Sequence, residues 1–96
     1  MKHCILAKFK DEYKYNIDEY LPDIMNIFNE LKTIEGVHDI TYRKNITDKP
    51  NRSTLLIVID LEPEAMDIYS PSAPHMLWKE KYGPLLESKA IFDYED

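Results

Sequence analysis

An α+β fold, one layer of helices on an antiparallel four-stranded sheet in the order βαββαβ, is predicted by three observations. Apolar residues cluster in β-compatible runs near both ends of the chain and in its middle. Between the first two runs they recur at three- and four-residue spacing, the mark of one buried helical stripe. A second helical region, split by Pro71 and Pro74 and closed by Gly83-Pro84, separates the last two strands.

Each element has its own local reason. "KHCILAKFK", Lys2 to Lys10, is a strand with His3, Ile5, Ala7 and Phe9 on one face and Cys4, Leu6, Lys8 and Lys10 on the other. Ile17, Tyr20, Leu21, Ile24, Ile27, Phe28, Leu31 and Ile34 form the apolar stripe of the first helix. Asn16 with Glu19 has the form of a capping box, while Pro22 points to a regular helix that begins a turn later, and Glu35-Gly36 ends it. "VHDITYRKNI", Val37 to Ile46, is a second strand with Ile40, Tyr42 and Ile46 on one face, followed by the polar turn "TDKPNR". "STLLIVIDLE", Ser53 to Glu62, is the most apolar segment and reads as a central strand buried on both faces. Pro63 starts a short helix carrying Ala65, Met66 and Tyr69. A further helix holds His75, Trp78 and Tyr82 and stops at Gly83-Pro84, and "KAIFDYE", Lys89 to Glu95, is the last strand.

Composition bounds what such a chain does. Its 96 residues make one domain, 1–96. A monomer of this size buries only about 60–65% of its unfolded surface, so a deep cavity needs a partner subunit to support it. A net charge of −6 argues against nucleic acid or an anionic membrane as partner, because both require a basic patch. A single cysteine, Cys4, excludes an internal disulfide and cannot hold zinc alone, which fits a reducing cytoplasm. The longest apolar run, Leu55 to Ile59, is far too short to span a bilayer, and no signal-peptide core is visible at the start, so the expectation is a soluble, unprocessed chain.

Two places carry candidate chemistry. In a split-βαβ sheet the last strand lies antiparallel beside the first, so His3 should meet Asp93 or Glu95, with parity favouring Asp93. That pair reads either as a cross-strand ion pair at a sheet end or as a His–Asp pair facing the same cavity as His75. In "YSPSAPH" two prolines stiffen the link between Tyr69 and His75. If Ser72 caps the following helix, His75 falls at its third position, where the macrodipole disfavours imidazolium by about 0.3–1 kcal/mol. A neutral imidazole is competent as a general base, and a nearby phenol can hydrogen-bond an oxyanion. The competing reading is that Tyr69 and His75 hydrogen-bond each other, since an unsatisfied buried polar group costs about 1–3 kcal/mol. Trp78 and Tyr82 read as core or interface residues rather than a cofactor box.

"KHCILAKFKDE", "TLLIVIDLE", Tyr69, His75 and the closing "IFDYE" together resemble the stress-responsive A/B barrel (Dabb) family over essentially the whole chain. The resemblance implies a ferredoxin-like subunit that pairs through its sheet into a dimeric α+β barrel, with an apolar cavity between sheet and helices. Ile5, Ile24, Ile27, Phe28 and Trp78 would line that cavity, which suits a small apolar or aromatic ligand. Among enzymatic members it resembles the plant polyketide cyclases that form olivetolic acid by an aldol-type ring closure. Their base and its tyrosine partner match His75 and Tyr69, and a further His and Asp match His3 and Asp93. Many members read H-P-x-H before the helix, whereas this chain reads "SAPH" with Ser72 in the first place, so no two-histidine metal site is expected. Neither a metal nor a cofactor is expected. Three readings stay open: a ligand-binding homodimer without catalysis, a cofactor-independent acid–base enzyme, and, least favoured, a haem or quinol monooxygenase-like protein.

Overall fold

The computed structural model describes residues 1–96. Four strands, β1 (Lys2–Phe9), β2 (Val37–Lys44), β3 (Leu55–Leu61) and β4 (Leu86–Tyr94), form one antiparallel sheet in the order β2-β3-β1-β4. Four helices, α1 (Asp11–Lys14), α2 (Ile17–Asn29), α3 (Met66–Tyr69) and α4 (Ala73–Tyr82), accompany it, and α2 with α4 closes one face. Alternation decides what is buried. His3, Ile5, Ala7 and Phe9 of β1 and Leu55, Ile57, Ile59 and Leu61 of β3 point under the helices, while Leu6, Leu56 and Val58 on the opposite face stay half-exposed. The expectation that β3 is buried on both faces is thus corrected for the single chain, which has only one covering layer.

The helical stripe seals the core. Ile24, Phe28 and Leu31 have no exposed surface, and Phe28 meets Trp78 of α4 edge to face at 5.2 Å between centroids. Tyr82 Oη donates to Asp23 at 2.6 Å, and Lys81 pairs with the same carboxylate at 2.7 Å, tying α4 to α2. Those two donors hold the Asp23 carboxyl below its ordinary range.

Local departures from expectation have physical causes. α1 is a single turn beyond the elements the apolar spacing predicts: the Lys10 carbonyl accepts from Tyr13 and Lys14, with Asp11 and Glu12 well placed in its first turn. Because α1 runs almost directly into α2, Asn16 holds near-helical angles and caps with its carbonyl, to Glu19 at 2.9 Å, and not with its side chain. α2 begins at Ile17 with exposed Pro22 inside it, contrary to the later start expected. The proline removes one solvent-side hydrogen bond, and burial of the stripe outweighs that loss. β2 ends at Lys44, and Ile46 is fully exposed. Asn45 turns the chain away by donating to the Ser53 carbonyl and accepting from the Thr47 amide. β4 starts three residues earlier than expected and, Leu86 apart, is exposed along its whole length.

Candidate functional site

The seam between β4, the start of β1 and the α3–α4 junction gathers the polar chemistry. Register places His3 opposite Asp93, and the imidazole Nδ1 lies 2.5 Å from Asp93 Oδ1. A carboxylate only accepts here, so Nδ1 is the donor of this bond. His3 is buried while Asp93 is half-exposed, which marks the outer rim of the site.

Tyr69 closes α3 and is 1% exposed. Its ring stands edge-on to His3 at 5.4 Å and lies tilted against His75 at 4.4 Å. The expected Tyr69–His75 hydrogen bond is not formed. Tyr69 Oη is the one buried side-chain polar atom in the chain without a hydrogen-bond partner. Burial first, then the Asp93 charge, pushes the phenol well above its ordinary pKa, so it remains a neutral donor.

Ser72 explains how the junction holds its shape. Its hydroxyl donates to the Tyr69 carbonyl at 2.6 Å and accepts from the His75 amide at 3.4 Å, so one side chain pins the end of α3 and caps α4. His75 is the third residue of α4, and its Nδ1–H donates to the Ser70 carbonyl at 2.8 Å. A carbonyl cannot donate, so in the neutral ring Nε2 is the free base. Burial lowers the His75 pKa, the Ser70 carbonyl opposes that shift, and Lys79, Lys89 and His3 add to it by like-charge repulsion.

The structure therefore brings His3, Asp93, Tyr69 and His75 together. It places Ile5, Ile24, Ile27 and Phe28 in the closed core, and of the five expected cavity residues only Trp78 borders open space. That space is a groove of about 260 Å³ between α4 and β4, bordered also by Lys79, Gly83, Leu86, Ser88 and Lys89. A second, polar depression lies beside the β2–β3 loop, where Lys14 is engaged by Asp48 and Asp11. No three His, Cys, Asp or Glu side chains converge as metal ligands would. Sequence reasoning missed the two lysines of the groove. Lys79 follows His75 by four residues on one helix, and Lys89 shares strand parity with Asp93, so both periodicities carried the signal.

A four-stranded antiparallel sheet with helices on one face and a polar seam at its edge defines an α+β, ferredoxin-like subunit. The family model of the stress responsive A/B barrel domain, Dabb, matches residues 1–96, and the chain belongs to that family. Similar solved structures include the Arabidopsis thaliana protein At3g17210, with 21% identity, TM-score 0.76, and coverage of 99% of this chain and 93% of that one. A Dabb family protein with a ferredoxin-like fold from Mesorhizobium loti shares 18% identity at TM-score 0.73, covering 99% and 94% of the two chains. A dimeric ferredoxin-like protein of unknown function from Thermobifida fusca shares 12% at TM-score 0.78, covering 99% and 89%. At these identities the likeness establishes the fold and nothing finer. No functionally curated protein matches the chain.

Proposed function

We propose that this Dabb chain acts as a homodimer in the cytoplasm, each subunit carrying a cofactor-independent acid–base site for a small carbonyl compound. The observation that carries the reading is the unpartnered hydroxyl of buried Tyr69, whose ring lies against an imidazole with Nδ1 committed and Nε2 free. An orphan donor in the core costs about 1–3 kcal/mol, and a ligand oxygen would relieve that cost. In the reaction, His75 Nε2 takes a proton from the carbon alpha to the carbonyl. The released electron pair forms the enolate, whose oxygen accepts the Tyr69 hydrogen bond. The enolate carbon then attacks a second carbonyl of the same molecule, and the new alkoxide recovers the proton from His75. The His3–Asp93 pair orients the substrate at the rim.

Deuterium exchange at the alpha carbon tests this without knowledge of the natural substrate. Benzoylacetone and related aromatic and acyl diketones in D₂O should exchange faster with the protein present. His75→Ala should remove the acceleration, and Tyr69→Phe should reduce it by about 10²-fold. Binding with exchange indifferent to His75 would leave a ligand-binding dimer and reject the acid–base reading.

A further inference from the structure

The groove beside the site holds two cations with no counter-ion. Lys79 extends from α4 one helical turn beyond His75, and Lys89 extends from β4 on the face it shares with Ile91 and Asp93. The carboxylates nearest along β4 are engaged elsewhere, Glu87 by Lys8 and Asp93 by His3, and Lys81 of α4 is tied to Asp23. Neither Lys79 nor Lys89 has an acidic partner, although the chain carries a net charge of −6. Partial desolvation in the groove, then the Lys79 charge, depresses the Lys89 pKa, and both lysines repel charge on His75. An arrangement of like charges across a groove is unfavourable until an anion enters it.

We propose that the ligand is a keto acid, with its ketone at Tyr69 and His75 and its carboxylate held between Lys79 and Lys89; this rests on the acid–base reading above. The rise from His75 to Lys79 is about 6 Å, so the two poles of the ligand are separated by a short carbon chain. Leu86 and the edge of Trp78 give that chain an apolar wall. The groove, about 260 Å³, accommodates the anionic arm while the reacting end sits at the seam.

The test compares 4-oxo-4-phenylbutanoate with its methyl ester by isothermal titration calorimetry at low salt. The acid is expected to bind wild type about tenfold more tightly than the ester, a preference two semi-exposed charge contacts can supply. Lys79→Gln combined with Lys89→Gln should abolish the preference, so that acid and ester bind alike. Both lysines are exposed, and a circular-dichroism melt verifies that the double variant is folded. Equal affinity of acid and ester, absence of binding by the acid, or a preference that survives the double substitution overturns the proposal. The alpha-proton exchange of the same two compounds separates the two readings. His75-dependent exchange without acid preference overturns only the anion pole. Lysine-dependent preference without His75-dependent exchange supports the anion pole and overturns only the base.

Discussion

Tyr69 is the residue at which stability and chemistry part. Its ring fills the core beneath the α3–α4 junction, whereas its hydroxyl makes no bond there. Tyr69→Phe keeps the packing and removes an unsatisfied donor, so the variant should be as stable as wild type or up to about 1 kcal/mol more stable. A loss of stability on urea denaturation would mean that the hydroxyl has a structural partner. His75 gives the complementary measurement in pH. Its folded pKa lies below the ordinary 6.5 because it is partly desolvated, with Lys79, Lys89 and His3 around it opposing the Ser70 carbonyl. Between that lowered value and 6.5 the unfolded chain binds the proton and the folded chain does not, so this contribution to stability is full above 6.5 and is lost as pH falls. An NMR titration of His75 Cε1–H should show a midpoint below 6.5, moving upward when Lys79 and Lys89 are replaced by Gln. His3 opposite Asp93 was legible because strand parity and antiparallel order leave few alternatives. The orphan hydroxyl was not, since sequence shows which groups can bond and not whether they do.

At the scale of the elements, periodicity carried most of the fold. The α2 stripe, the alternation of β1 and the Ser72 cap of α4 lie where spacing and cap chemistry put them. What sequence did not carry were the boundaries decided by neighbours: the extra turn of α1, the turn at Asn45 that stops β2, and the early start of β4. Gly36 shows both kinds of information at one position. It ends the helical region as expected, and its φ of +93° brings the turn so close to α3's leading segment that an added Cβ would stand 3.1 Å from Ala65 Cβ and 3.4 Å from Glu62 Cβ. The positive φ costs a side chain about 1–2 kcal/mol before any crowding, so Gly36→Ala should destabilise the chain by about 2 kcal/mol. Chemical denaturation reads that loss directly; an unchanged midpoint would mean that the turn relaxes to a negative φ.

For the whole molecule, the surface without a covering layer is the sheet face away from the helices. Cys4, Leu6, Leu56, Val58, Phe92 and Tyr94 fall on that face by register, with Phe92 62% and Tyr94 41% exposed. A folded chain rarely leaves such a contiguous apolar patch in water, and β4, exposed along nearly its whole length, adds an unprotected edge. A second copy of this chain meeting the patch through a two-fold axis would bury Phe92 and Tyr94 from both sides. Phe92→Asp then introduces two opposed carboxylates at that interface and nothing unfavourable in the isolated subunit, where the side chain faces solvent. Light scattering coupled to size exclusion should therefore report a dimer for wild type and a monomer for Phe92→Asp, with the helical signal in circular dichroism retained. A wild-type monomer would refute the pairing, and a dimeric Phe92→Asp would move the interface to another surface. The outcome also bears on the site, because Asp93, whose carboxylate orients His3, lies between Phe92 and Tyr94 on the same strand. A dimer that clamps β4 would hold the His3–Asp93 rim in place, and the monomeric variant should then bind carbonyl ligands more weakly even though His75 and Tyr69 are untouched.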